Sequence, residues 1–587
     1  MKPFFTLLLL SLLVSCNTID SAKEKSNLID EKTVLETSRY LHPASKVIRL
    51  NQLGYFPEEK KIATISGNND ITSISIIDLA TGETCMKGKP TDKIFFPLSG
   101  DTIRQFDFSD FREPGVYQLQ VDKNRYSYPF IIGEDIYDSA LILVSKSYYF
   151  HRVGTDITKE YGGQWHRPAG HADTNVMFHP ATGKTGTMAS PGGWYDAGDF
   201  GKYVMNGAFS AGQLLHALET YPDLYPDGSL NIPESRNGIN DLLDEIKYEA
   251  DWIATMQDDD GGVFHKLTTK NFAGAIMPHE ATEQRYIMPK STASTFDFAA
   301  FLAKMARQYK KYDSNLAEAW LAQAQKAWQW GVQNPTEYFK NPADVATGEY
   351  GDEDASQEQF WAAAELFVST GEQTYLDYLS GNLPDLTYTY GDGWKSFMRY
   401  LGVFTLLDNE GSLPEAIAAQ LKERLIASAD DLTNRVQTFD YRQGVNDFQW
   451  GSNSDIQNVA FVIAEAYEID PKPAYSDAVF SSLNYLFGHN ATGYSMVTGL
   501  GDNPPMHIHH RASKADGIVE PVPGFVCGGP NYYKQDANDV NYPADAPPMK
   551  SYMDVWESYA SNEVCLNWNS PLPYLLKFAI NMQKYGR

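Results

Sequence analysis

INDLLDEIKYEADWI, residues 239–253, decides the fold: Ile239, Leu242, Leu243, Ile246, Ala250 and Ile253 fall on one stripe of an α-helix, with Asp and Lys on the other face. The same period recurs in helix-length segments near 138–152, 202–221, 293–311, 316–333, 358–371, 394–407, 414–428, 455–468, 474–487 and 571–585. Strand signal is almost absent after Asp138. About eleven helices joined by long Gly/Pro-rich loops leave two ways to bury so many apolar stripes: a closed ring of paired helices or an open solenoid. Solenoids repeat at a fixed period of about 20–50 residues. No such period is visible, so the ring is expected. Loops gather at one end of a ring, and three of them, 154–201, 488–550 and 551–570, carry the residues of chemical interest.

Ahead of the helices, from about Val47 to Ile132, the period drops to two in KKIATIS, TSISIIDL, QFDFSDF and GVYQLQVDKNRYSYPFII, separated by Gly, Asn, Asp and Pro turns. Strands of this length and spacing indicate a small β-sandwich. The first 16 residues, MKPFFTLLLLSLLVSC, combine one Lys with an apolar run too short to span a bilayer, as in a signal peptide. Small residues before Cys16 resemble a bacterial lipobox. Cys16 is therefore expected to be lipidated and to anchor an exported protein in the outer membrane, at the cell surface or on the periplasmic face. The polar residues 17–45 read as a flexible tether. With 75 acidic against 48 basic residues the net charge is −27, a field that repels nucleic acid and anionic headgroups. Membrane contact is expected through the lipid alone, and the protein is expected to be a monomer. Cys85, Cys527 and Cys565 match no metal or redox spacing; at most one disulfide could form, with Cys527 and Cys565 the favoured pair, and buried free thiols are the expectation.

SPGGWYDAGDFGKYV, residues 190–204, sets Asp196 and Asp199 three positions apart, with no cation before Lys202. Two carboxylates leaning into one small volume raise the pKa of one unless a water or neutral donor bridges them. A pair gripping a water is a general base; the competing reading is a loop in which Asp196 caps the helix beginning near Gly201. SYMDVWESYASNEVCLNWNSPLPYLL, residues 551–576, holds Asp554, Glu557, Asn562 and Glu563. The bulky Tyr559, Val564, Leu566 and Trp568 would desolvate Glu563 and keep it protonated as an acid, unless Arg511 or another cation pairs with it. SMVTGLGDNPPMHIHHRAS, residues 495–513, holds His507, His509, His510 and Arg511. The loop lacks a zinc-helix pattern and suits donating hydrogen bonds to hydroxyls of a neutral polar ligand. A base pair early and an acid late form the two-carboxylate arrangement of a glycosidase.

On these segments the chain resembles glycoside hydrolase family 9, the inverting β-glucanases, over nearly its whole mature length. Gly193 through Asp199 matches the base motif, Ser495 through Arg511 the histidine motif, and Tyr552 through Asp554, Glu563, Asn569 and Ser570 the acid motif. GGVFHKLT at 261–268, MPKSTASTFDFAAFLA at 288–303, FWAAAELFVSTGE at 360–372 and FQWGSNSD at 448–455 fill the intervals. IRLNQLGY, 48–55, is similar to the opening of the immunoglobulin-like domain that often precedes the family's barrel. The resemblance implies an N-terminal immunoglobulin-like β-sandwich, 46–136, followed by an all-α (α/α)6 barrel, 137–587.

It further implies Asp199 as general base, Asp196 helping to hold the attacking water and Glu563 as general acid, with acid and base about 6.5–9.5 Å apart to admit the water. His509, His510 and Arg511 would serve sugar hydroxyls. His265, Tyr559, Trp450 and Trp568 would line the cleft, and Asp554, part of the acid motif, and His509 would count with the three acids among the catalytic residues. The implied activity is endo-β-1,4-glucanase on soluble or amorphous β-glucan, such as mixed-linkage glucan or xyloglucan. An exo-acting enzyme on cello-oligosaccharides or an aminosugar analogue is the variant within the family. A non-catalytic glycan-binding lipoprotein would have no need of all three acids. No cofactor is required. Zinc, held in some relatives by cysteines before the base motif, is disfavoured because 152–180 offers His166, His171 and His179 and no Cys. Calcium, held in many by an Asp-Glu pair before the FWAA helix, meets Gln357 and Glu358 here and would draw on Asp352 or Asp354.

Overall fold

The structure, a computed structural model, describes residues 41–389 and 393–586. The signal peptide, Cys16 and residues 17–40 of the expected tether lie outside these residues. Residues 42–45 already belong to the sandwich: the His42 ring stacks on Tyr126, and the Ser45 N–H donates to the Tyr126 carbonyl.

Ten strands, β1 Ile48–Arg49, β2 Gly54–Tyr55, β3 Ile62–Ser66, β4 Ile74–Asp78, β5 Thr84–Gly88, β6 Ile94–Phe96, β7 Asp101–Asp107, β8 Gly115–Val121, β9 Arg125–Tyr126 and β10 Phe130–Ile132, form two sheets, ordered β1-β3-β7-β6 and β2-β10-β8-β4-β5, with β9 also on β8. Strand β3 (Ile62–Ser66) shows why the sandwich sits where it does. Ala63 and Ile65 enter the sandwich core, and between them Thr64 meets His489 of the helical domain, Oγ1 to Nε2 2.8 Å. The Asn51 amide likewise donates to Asn484 Oδ1 and Tyr137 Oη. Both faces of β3 are therefore covered.

Twelve helices of nine or more residues follow among the described residues: α1 Asp138–His151, α2 Val204–Thr220, α3 Asp241–Thr255, α4 Thr292–Tyr309, α5 Ser314–Gln333, α6 Ser356–Thr370, α7 Gln373–Gly381, α8 Gly393–Asp408, α9 Glu415–Thr438, α10 Ser452–Ile469, α11 Pro473–Leu486 and α12 Pro571–Tyr585. Helices α2, α4, α6, α8, α10 and α12 contact one another in that order, and α12 returns to α2, closing the ring. Inner helices are buried on every face, as α2 is from Val204 to Leu218. Outer helices keep a stripe: in α5 the buried residues Ala317, Trp320, Ala324, Ala327, Trp328 and Gly331 fall on one face.

Helix α3 holds the stretch that opened the sequence reading. Asn240 caps it, its Oδ1 accepting from the Leu242 and Leu243 N–H groups, so Ile239 lies just outside the helix. Two glutamates of its polar set are buried too. Glu245 binds the Arg152 guanidinium and the Trp194 indole N–H, and Glu249 accepts the Trp194 backbone N–H at 2.7 Å. The helix thus clamps the segment that carries Asp196.

Three features depart from expectation. Helix α7 carries no helical signal of its own, and α9 runs past 428 to Thr438 because Ala429, Leu432, Thr433 and Val436 continue its buried face. Short strands β11 (Val176–Phe178), β12 (Thr187–Met188), β13 (Lys202–Tyr203), β14 (Lys266–Thr268) and β15 (Tyr286–Ile287) form a sheet in the order β12-β11-β15-β14-β13 where almost no strand was expected. As expected, the cysteines among the described residues are free thiols, with Cys527 and Cys565 buried, although Cys85 is exposed.

Candidate active site

The loops before α2 and α12 and the histidine segment meet edge to edge. Ala197 pairs with Cys565, His509 with Glu563 and Cys527 with Val564. Leu566 N donates to Asp196 O at 2.9 Å, His509 N to Asn562 O at 2.9 Å and Arg511 N to Gly198 O at 3.0 Å. Two glycines permit the approach. Gly193, at φ +77°, takes a left-handed turn against Trp252, whose Cγ would lie 2.7 Å from a Cβ there. A Cβ on Gly198 would fall 1.9 Å from the His509 carbonyl oxygen.

These segments floor a cleft of about 790 Å³. Asp196, Asp199, Glu563, His509, Arg511, Tyr559, Trp450 and Trp568 all line it, together with Tyr203, Phe272, Glu349, Tyr350 and Cys565. Asp196 is 1% exposed; its Oδ1 accepts from the Asn206 amide at 2.7 Å and its Oδ2 from the Tyr350 hydroxyl at 2.6 Å. Burial and then the Asp199 charge push its pKa up to about 7, against the pull of those two hydrogen bonds. Asp196 does not cap α2: the capping position is Tyr203, without a side-chain bond. Asp199 keeps one carboxylate bond in the loop, accepting the Gly201 N–H at 3.0 Å.

Glu563 sits where ionisation is disfavoured. Burial, and then the charges of Asp199 and Asp196, raise its pKa well above the usual carboxylate range, outweighing Arg511 and a bond from the Gly198 backbone. Arg511 directs Nε to the Ala273 carbonyl and Nη1 to the Gly198 carbonyl, both at 2.8 Å, so it ties loops together as it lines the cleft. The His509 ring stacks on Trp556 and directs Nδ1 to the Trp556 carbonyl at 2.7 Å. A carbonyl only accepts, so Nδ1 carries the proton. Burial holds the ring pKa down at about 4, leaving Nε2 an acceptor rather than the donor expected from sequence. On one wall Trp450, 39% exposed, lies 5.6 Å from Tyr559.

Three expected contacts are absent from the cleft lining. His265 is buried beside α4, its Nδ1 against Ser291 and Ser294 and its Nε2 against the Glu349 carbonyl, so it braces the Glu349 loop. His510 points the other way, caps the short helix Arg511–Ala515 by accepting from Ser513 N, and packs on Phe525. Asp554 accepts from the Met506 and His507 N–H groups and the Asn562 amide, splinting the histidine loop to the acid segment.

Sequence reasoning missed Tyr350 and Asn206, which hold both oxygens of Asp196. Tyr350 sits at φ +49° in an aperiodic loop, and nothing in one sequence ties such a residue to a loop 150 positions earlier. The residues expected to bear on zinc do not converge: His166 Nδ1 meets the Gly163 carbonyl, His171 the Tyr195 hydroxyl, and His179 Asp344. Near α6, Asp297 is fully buried with neither carboxylate oxygen hydrogen-bonded, and the charges of Glu358 and Asp352 help raise its pKa. A group of buried acids with an orphaned carboxylate fits a hard cation such as calcium. Asp354 instead accepts from Ser356 N at the start of the helix.

Comparison with known proteins accounts for both halves of the chain. Residues 137–576 match the model of glycosyl hydrolase family 9, and residues 43–125 that of the cellulase N-terminal ig-like domain. A xyloglucan-specific endo-beta-1,4-glucanase of Bacteroides ovatus is 38% identical over 549 residues, 89% of this chain and 92% of that protein. Endoglucanase D of Acetivibrio thermocellus is 33% identical over 564 residues, 95% of this chain and 87% of that one. A solved Bacteroides ovatus family 9 structure superposes with a TM-score of 0.84 at 36% identity, covering 92% of this chain and 99% of its own. Matched along both domains and across the site, the chain belongs to glycosyl hydrolase family 9.

Proposed function

We propose that the protein is an endo-β-1,4-glucanase that hydrolyses soluble or amorphous β-glucan with inversion, xyloglucan among its substrates. The observation that carries this reading is the placement of two buried aspartates and a third carboxyl, whose ionisation burial disfavours, on one open cleft. A water held by Asp196 and Asp199 gives a proton to Asp199 as its oxygen attacks the anomeric carbon. The bond from that carbon to the glycosidic oxygen breaks, and Glu563 supplies the proton that the departing oxygen takes up. His509 Nε2 accepts from a sugar hydroxyl, and Trp450 and Tyr559 offer flat faces to the chain. The 38% identity to a xyloglucan-specific enzyme supports the substrate.

Glu563→Gln and Asp199→Asn are each expected to lower turnover at least about a hundredfold with the fold intact. Near-normal turnover in both would overturn the roles. Proton NMR of early product is expected to show the α-anomer first. Asp297, Glu358 and Asp352 would hold a calcium ion that supplies charge to bind the 352–358 segment to α4, with Asp352 two residues beyond Tyr350. Export and attachment through a lipid on Cys16 complete the proposal, and loss of palmitate labelling in Cys16→Ser tests that part.

A further inference from the structure

Beside the main cleft opens a second, smaller pocket of about 180 Å³ that shares Asp199 and Phe272 with it. A cavity of about 150 Å³ accepts one benzene-sized ring, so this one has room for a single sugar ring and too little for a second. Phe200 and Ile276 are among its apolar lining, and Thr269, Glu280, Thr282 and Glu283 are among its polar groups. Apolar surface combined with hydrogen-bonding groups is what a pyranose requires. The wall is held in place: Arg511 Nε grips the Ala273 carbonyl, its guanidinium lies 5.3 Å from the Phe272 ring centroid, and the Ile276 N–H turns back to the Gly274 carbonyl. A pocket preformed in this way costs little ordering on binding.

We propose that this side pocket receives a pentosyl branch carried on O6 of a backbone glucosyl unit next to the scissile bond, and so sets the enzyme's preference for branched over plain β-1,4-glucan. The inference rests on the glucanase reading and adds where the branch goes. Position decides it. The pocket shares Asp199 with the cleft, so a group reaching it must leave the backbone at the reacting unit or its neighbour. In a β-1,4-linked chain O6 is an exocyclic hydroxyl that extends sideways from the ring, away from the chain direction.

Gly274 gives a clean way to close the pocket. It lines this pocket and not the main cleft, a Cβ there meets no atom within 4 Å, and its backbone is outside the left-handed region. Gly274→Phe is expected to lower the ratio of kcat/KM on xyloglucan to that on unbranched mixed-linkage glucan by at least about tenfold, the scale on which one pocket discriminates. Gly274→Ala is expected to hold the ratio within about twofold. In a Glu563→Gln background, calorimetry is expected to show a xylosylated cello-oligosaccharide binding more tightly than the plain one of equal backbone length, and Gly274→Phe is expected to erase that advantage. An unchanged ratio together with an unchanged binding difference overturns the proposal. If the wild-type enzyme cleaves neither polysaccharide, the glucanase reading fails, and the calorimetric comparison still decides the pocket.

Discussion

Tyr350 governs how Asp196 titrates. Its hydroxyl bond to Asp196 Oδ2 opposes the burial that lifts that carboxyl to about 7, so removing it lets the pKa climb further. A hydrogen bond to a charged group contributes about 1.5–3 kcal/mol, and one pKa unit is about 1.4 kcal/mol. Tyr350→Phe is therefore expected to move the acidic limb of kcat/KM to higher pH by about one unit, as read from a pH–rate profile; a limb that stays put would deny Tyr350 this positioning role. The sequence named Asp196, Asp199 and Glu563 because each sits in a dense, distinctive segment. It could not separate His509 from His510 one residue away, since which imidazole faces the cleft depends on where Trp556 and Ser513 offer partners. His265 shows the same limit: two serines of the neighbouring helix, invisible as partners in one dimension, account for its polarity.

At the scale of elements, the site is a contact between loops that only small residues allow. Gly198→Ala would press a methyl group into the His509 carbonyl and part the base segment from the histidine segment. Expected outcomes are a loss of turnover of at least about tenfold and a lower melting temperature by calorimetry; wild-type values for both would show that the backbone pairing does not set the geometry. Long helices were legible because stripes such as that of α5 repeat over several turns. Helix α7 has nine residues, and Tyr375 and Leu379 are its only buried pair, too few to establish a period. Strands β13 and β14 are two and three residues long, and their pairing, not their composition, makes them a sheet.

For the whole molecule, Glu59 joins the two domains. Buried at their interface, its carboxyl accepts the Phe56 N–H and lies 3.4 Å from the Asn484 amide, and burial raises its pKa to about 8. The folded state thus holds this proton more tightly than the unfolded one. The stability it gives is complete below about pH 4.5 and is lost as pH rises through about 8. Glu59→Gln is expected to melt with the wild type at pH 4.5 and about 1–3 °C above it at pH 8.5, followed by circular dichroism. Equal curves at both pH values would show that Glu59 does not carry the dependence. The two-domain order was legible in the switch from a period of two to a period of 3.6. Their docking was not, because Asn51, Gln52 and Thr64 bond to partners more than 400 positions away. The ring closes only when α12 reaches α2, and Glu563 lies just ahead of α12. A chain emerging from a ribosome or a translocon amino end first therefore carries Asp196 and Asp199 long before it has an acid to work with. On the proposed roles, catalytic competence waits for the segment around Glu563, and a nascent chain that lacks that segment is expected to be inert toward glucan.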